Sequence, residues 1–177
     1  MNGYKIVLLG THGVGKTTLI NSMLGLENSH PRPTVVSALS SFTHNGKAYY
    51  VWDTAGMEKY SALNSIYLRG AHIAIYCESF LPGEHGPYLE RYAEELKGVS
   101  VINVLTKDDL FEDVRYEREK KDFEYFERLH SRKYNYVVDC RSFESVKCVK
   151  EEIIRRCNDV VLNDDLLKPN TSNDSCC

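Results

Sequence analysis

The chain has 177 residues, 42% of them hydrophobic, 27% charged and 11% aromatic, with a formal net charge of −3. A chain of this length buries roughly two-thirds of its unfolded surface and folds without disulfides. The mixture excludes intrinsic disorder, a collagen-like repeat and a membrane-spanning bundle, and its mild acidity argues against a dedicated nucleic-acid binder.

The first apolar run, Ile6 to Leu9, is too short for a signal-peptide core, and no stretch approaches the ~20 apolar residues of a spanning helix. Asn2 after Met1 excludes N-myristoylation. The expectation is a cytosolic chain whose cysteines stay reduced. None of its six cysteines forms a metal-binding pair: Cys77, Cys140, Cys148 and Cys157 read as core or half-buried residues, while Cys176 and Cys177 end the chain side by side.

Residues 4–9 read as a strand ending at Gly10, followed by a helix from Lys16 with Leu19, Ile20, Met23 and Leu24 on its apolar face. Asn45-Gly46 joins strands 38–44 and 47–53 as a hairpin. Buried strands follow at 73–77, 99–105 and 134–138, with helices near 58–69, 86–97 and 114–131. A last helix, 145–162, repeats Val146, Val149, Ile153, Cys157 and Val160; residues 163–177 read as a disordered tail. The domain reading is therefore 1–162 plus the tail. The fold class is α/β, a six-stranded, mostly parallel sheet with helices on both faces. Ligands of such sheets sit beyond the carboxyl ends of the strands.

The loop after the first strand is Gly10-Thr11-His12-Gly13-Val14-Gly15-Lys16-Thr17, with Thr18 next. This is the full G-x-x-x-x-G-K-[ST] pattern, in which backbone amides and a helix N-terminus cradle phosphate. Lys16 is expected to reach the β and γ phosphates, and the Thr17 hydroxyl to ligate Mg²⁺. Asp53-Thr54-Ala55-Gly56 closes the hairpin's second strand, which places Asp53 beside that loop to hold Mg²⁺ and lets the Gly56 amide sense a γ-phosphate. The plain alternative is a glycine-rich turn without a ligand.

The stretch Trp52-Asp-Thr-Ala-Gly-Met-Glu-Lys-Tyr60 and the later Tyr67-Leu-Arg-Gly-Ala71 resemble the Rab family of Ras-like small GTPases, whose pattern is W-D-T-A-G-Q-E-R-F and Y-Y-R-G-A. The resemblance covers 4–162 and the terminal cysteine pair. It implies a small monomeric GTPase, a GTP/GDP switch in vesicle traffic with Mg²⁺ as cofactor. Thr34, at the switch I position, would bind Mg²⁺ and γ-phosphate. The partners it implies are an exchange factor, a GTPase-activating protein, effectors on the switch segments 26–43 and 54–70, an escort protein and a GDP-dissociation inhibitor. No nucleic-acid partner is expected.

The family reads guanine with N-K-x-D and S-A-K, where this chain has Thr106-Lys107-Asp108-Asp109 and Asp139-Cys140-Arg141. Asp109 would accept from the guanine N1–H and amine, Lys107 would lie along the base, and the Cys140 amide would meet O6. Thr106 in place of Asn loses an amide that ties the pocket together, and Arg141 replaces lysine. Glu27 falls where relatives carry a base-stacking aromatic, a contact worth ~1–3 kcal/mol. Weaker nucleotide binding is expected.

The catalytic positions are Lys16, Gly56 and Met57. Met57 stands where the family carries the water-orienting glutamine, and its thioether cannot donate a hydrogen bond. His12 would crowd the γ-phosphate. Slow intrinsic hydrolysis follows, unless a partner supplies the glutamine. His30, His44, His72, His85 and His130 show no ligand spacing.

A terminal Cys-Cys is a family pattern for double geranylgeranylation. The tail carries Asp164, Asp165 and Asp174 against Lys168, so no polybasic attraction assists, and two lipids are needed for stable anchoring to the cytosolic face of endomembranes. The alternative for the whole chain is a prenylated scaffold that binds nucleotide but rarely switches. A P-loop kinase or ATPase is disfavoured by D-T-A-G and K-x-D.

Overall fold

The computed structural model describes residues 3–26, 34, 37–56, 61–80, 90–110 and 133–166. In chain order these form β1 (Gly3–Leu9), α1 (Lys16–Leu24), β2 (Ser37–His44), β3 (Lys47–Thr54), α2 (Ser61–Leu68), β4 (Ile73–Ser79), β5 (Ser100–Thr106), β6 (Tyr136–Val138) and α3 (Phe143–Leu166). The strands make one six-stranded sheet in the order β2-β3-β1-β4-β5-β6. Only the β2–β3 pair is antiparallel.

Sequence dictates each strand's place. β4 is buried along its whole length, as a central strand covered on both faces must be. β2, rich in Ser, Thr and His, is the exposed edge. Its turn to β3 holds Asn45 and Gly46 at φ 48° and 74°, the left-handed pair that a tight hairpin requires.

Alternation along β1 divides the core. Ile6 and Leu8 join Leu19 and Met23 of α1 and Val146, Val149, Ile153 and Cys157 of α3. Val7 and Leu9 face the other way, onto Leu68 of α2, Ala74, Tyr76 and Tyr92. α1 stops at Gly25, where the Gly25 amide donates to the Ser22 carbonyl and the Leu26 amide to that of Asn21. That pair of bonds satisfies helix-end carbonyls through a left-handed glycine.

The cysteine and histidine expectations can be checked in part. Cys77, Cys140 and Cys157 are buried and Cys148 is half-buried, all as free thiols. His72 accepts the Lys5 amide at Nδ1 (2.9 Å) and meets the Tyr4 ring edge-on, as a satisfied structural residue does.

Three expectations differ from or escape the structure. The helix read over 86–97 is, from Glu90 on, a single 3₁₀ turn (Glu90–Tyr92) followed by hydrogen-bonded turns that end at Gly98, φ 77°. Tyr92 and Leu96 alone turn inward there, too narrow an apolar stripe to hold several turns. α3 continues to Leu166 instead of stopping at 162, since a helix already nucleated on packed residues extends at little cost. The helix read over 114–131 lies outside the described residues.

Candidate functional site

The loops after β1, β3, β5 and β6 converge at the carboxyl edge of the sheet, so every described candidate residue lies on that edge. The register of β1 against β3 sets Leu8 opposite Asp53, which brings the end of β3 beside the start of the phosphate loop. The Thr54 hydroxyl fixes that placement by donating to the Leu8 carbonyl at 2.5 Å.

The phosphate loop is built from backbone that only glycine tolerates. Gly10, Gly13 and Gly15 take φ of 142°, 76° and 97°. A Cβ at Gly10 would stand 2.4 Å from the Cys77 carbonyl oxygen. Val14 is buried beneath the loop, and His12 is exposed on its rim. Thr18 is half-buried in the first turn of α1. The Lys16 ammonium is buried and donates to the Gly10 and Thr11 carbonyls, both at 2.8 Å. Burial lowers its pKa, while the nearby Cys77 and Asp53 oppose that shift.

Beside the lysine, three oxygen side chains meet. Thr17 Oγ1 donates to Asp53 Oδ2 at 2.6 Å and Thr34 Oγ1 donates to the same oxygen at 2.7 Å. The two hydroxyl oxygens are 3.0 Å apart. Asp53 is 3% exposed, and its other oxygen, Oδ1, is buried with no protein partner. A buried carboxylate oxygen left unpaired costs about 1–3 kcal/mol or more, so this one is suited to a cation or its water. One carboxylate and two hydroxyls are hard donors of the kind Mg²⁺ takes, and the residues present fit that ion. Among the described residues no group of three His, Cys, Asp or Glu side chains offers a rival site.

Gly56 closes the same cup. A Cβ on it would lie 2.5 Å from the Thr11 carbonyl oxygen and 2.5 Å from the His12 backbone nitrogen, so only glycine allows this approach. Met57, Glu27, Cys176 and Cys177 lie outside the described residues.

The base pocket departs from expectation in one respect. The fully buried Thr106 does tie the pocket together: its hydroxyl, with one proton to donate, lies within hydrogen-bond distance of both the Val14 carbonyl (2.5 Å) and the Glu78 carbonyl (2.8 Å). A hydroxyl at the end of β5 spans the distance for which an amide seemed necessary. Lys107 follows at φ 63°, a left-handed conformation rare for a non-glycine residue and a mark of functional sites. Burial lowers its pKa against the pull of Asp109. Asp109 has its carboxyl pushed up, first by burial and then by Asp139, while Arg141 draws it down. Arg141 Nη2 donates to Asp109 Oδ2. Cys140 is buried, its thiol pushed up to about 12 by desolvation, and its carbonyl accepts from the Ser22 hydroxyl.

Sequence reading passed over two contributors. Ser22 pins the Asp139–Arg141 loop to α1, and its only signal was a hydroxyl on an apolar helix face. Glu78 is buried at the end of β4, where its carboxylate accepts from Tyr134 (2.6 Å) and Tyr76 (3.2 Å). A carboxylate ending an otherwise apolar strand was the available sign.

Comparison with known proteins agrees with this geometry. The family described as "Ras of Complex, Roc, domain of DAPkinase" matches residues 5–108. The chain is 36% identical to Ras-related protein Rab-25 of Homo sapiens over 99 residues, 52% of this chain and 46% of that protein. It is 30% identical to Ras-related protein Rab-17 of Mus musculus over 170 residues, 88% of this chain and 78% of that protein. With Ras-related protein YPTC6 of Chlamydomonas reinhardtii the identity is 32% over 107 residues, 58% of this chain and 50% of that protein. The match to Rab-25 spans about half of that relative's length. A phosphate loop, a carboxylate beside it and a six-stranded, mostly parallel sheet define the class of Ras-like GTPase folds. Within that class the chain belongs to the Rab family of small GTPases, as a divergent member.

Proposed function

We propose that the protein is a guanine-nucleotide switch of membrane traffic, cycling between GTP and GDP forms and hydrolysing GTP slowly. The observation that carries this reading is the meeting of Thr17, Thr34 and Asp53. The phosphate-loop threonine, a residue from the segment before β2 and the carboxylate of β3 share one oxygen atom as acceptor. A ligand that engages these groups and the phosphate loop together would hold Thr34 at the site. One lacking the terminal phosphate would not.

The chain's residues divide the work as follows. The amides of residues 10–15 and the N-terminus of α1 receive the phosphates, and Lys16 moves its ammonium from the loop carbonyls to phosphate oxygen. Thr17, Thr34 and Asp53 would hold Mg²⁺, with Asp53 acting through water. What the cation supplies when bound is neutralisation of charge on the β- and γ-phosphate oxygens. The Gly56 amide, on a residue packed against the Thr11–His12 backbone, would report the γ-phosphate to the residues that follow it. Met57 offers no donor to orient the attacking water. Little of this chemistry is covalent, so loss of that orientation slows turnover.

Effectors would dock where β2 and β3 meet α2. Leu39, 53% exposed, stands opposite Trp52 in the ladder; Trp52 packs on Tyr67 at 5.2 Å, and Ile66 is 66% exposed. Ser37 Oγ donates to the Tyr67 hydroxyl at 2.7 Å, which couples this apolar strip to β2 and so to the segment carrying Thr34. Cys176 and Cys177 would carry two geranylgeranyl chains and anchor the protein to cytosolic membrane surfaces; among the described residues no helix is long and apolar enough to cross a membrane. An exchange factor, an activating protein, an escort protein and a dissociation inhibitor are the partners such a cycle requires.

The second reading, a nucleotide-binding scaffold that rarely switches, is favoured by the engagement of Asp109 with Arg141. Hydrogen exchange on the GTP-analogue and GDP forms separates the two. Added protection across residues 26–70 in the GTP form supports the switch, and identical exchange supports the scaffold.

A further inference from the structure

The acceptor that the guanine reading needs is engaged by the chain itself. Asp109, with a side chain 15% exposed, lies just after β5; Arg141, 64% exposed, reaches it from the loop after β6. Arg141 Nη2 donates to Asp109 Oδ2, its Nε stands 3.7 Å from Asp139 Oδ1, and its backbone amide donates to that same Asp139 oxygen at 2.8 Å. Asp139 is anchored in turn by donating its amide to Ser145 Oγ at 3.0 Å. Two carboxylates on neighbouring loops thus share one guanidinium, which relieves the repulsion between them. The loop is fastened from behind by the Ser22 hydroxyl on the Cys140 carbonyl.

A guanidinium carries N–H donors in a planar fork. Guanine presents a similar edge, with N1–H and the 2-amino group side by side, and both are satisfied only if both oxygens of Asp109 are available. Hypoxanthine keeps N1–H and lacks the amine.

We propose that Arg141 is a specificity-determining residue that competes with the guanine 2-amino group for Asp109 Oδ2, so that the pocket barely distinguishes guanine from hypoxanthine nucleotides. The inference rests on the reading of the site as a guanine-nucleotide pocket. While Arg141 stays in place, a bound base has Asp109 Oδ1 for its N1–H, and the amine has no charged acceptor. A hydrogen bond to a charged group shifts an equilibrium by about tenfold or more, and this is the discrimination that Arg141 removes.

The test is the ratio of GDP to IDP affinity for the full chain with Mg²⁺, measured by displacement of a fluorescent GDP. The wild-type ratio is expected below about threefold. The Arg141→Met variant keeps the aliphatic stem and removes the donors. The double variant Asp139→Ser with Arg141→Met also removes the second carboxylate, so that no acid is left unpaired. In both, the ratio is expected to rise above about tenfold, with GDP binding tighter than in wild type. A wild-type ratio above tenfold that neither variant changes overturns the proposal and leaves the guanine reading intact. Failure of the wild-type chain to bind either nucleotide overturns both.

Discussion

Thr34 and Asp53, 19 positions apart, are joined by a 2.7 Å hydrogen bond from the threonine hydroxyl to the oxygen that Thr17 also uses. This contact brings a residue from before β2 to the buried carboxylate of β3. On the proposed reading of Asp53 as a cation-holding group, the placement of Thr34 depends on what that carboxylate holds.

Asp53→Asn tests that dependence. The amide keeps the shape, removes the charge and turns one acceptor into a donor facing Thr17 and Thr34. We expect Mg²⁺ to slow GDP release from the wild-type protein and to have little effect on the variant. The variant should release GDP about tenfold faster or more in Mg²⁺, as stopped-flow release of a fluorescent GDP would measure. Equal Mg²⁺ dependence in both proteins would exclude Asp53 from the cation site.

Thr106 offers a test of packing. Thr106→Val keeps the shape and leaves the buried carbonyls of Val14 and Glu78 without that donor. Stability should fall by about 1–3 kcal/mol. At about 2–4 °C per kcal/mol for a chain of this size, a melting scan should detect the change. Thr106→Ser, which keeps the hydroxyl, should lose much less.

How far these relationships were legible in the sequence depended on their range. The phosphate loop was, because its glycines, lysine and threonine are contiguous and the periodicity on either side is strong. The β2–β3 hairpin was too, because Asn45-Gly46 is a local signal. The Arg141–Asp109 pair spans 32 positions and exists only because β5 and β6 are neighbours. The Thr106 hydroxyl looked like a loss when compared with an amide, because its reach depends on how closely β5 approaches Val14. The 86–97 segment misled because two inward residues can imitate the start of a helical stripe.

Gly56→Ala should separate the two nucleotide states. Its methyl group would meet the Thr11 and His12 backbone at 2.5 Å, so residue 56 must move away from the phosphate loop. We expect GDP affinity to change little, and the extra protection conferred by a GTP analogue over residues 26–70 to disappear. Retention of that protection would remove Gly56 from the sensing role.

Glu152 predicts a pH dependence independent of nucleotide. Two hydrogen bonds from Arg155, followed by one from Arg156, hold its carboxyl at about 2, against 4.5 ordinarily. A depressed folded-state pKa adds stability above the unfolded value, which is lost as pH falls through the folded one. Between about pH 4.5 and about pH 2, Glu152→Gln should therefore lose less stability than wild type in acid-titrated denaturation. Parallel curves would contradict the ion-pair account.

Met57→Gln should raise single-turnover GTP hydrolysis, by up to the about hundredfold that misplacing a reactant costs. No change would mean that Met57 does not limit hydrolysis.

The identity and stoichiometry of nucleotide retained by the purified full chain in Mg²⁺ test the central claim most directly. The account predicts close to one guanine nucleotide per chain, with GTP exceeding GDP because hydrolysis is slow. An empty site would contradict it.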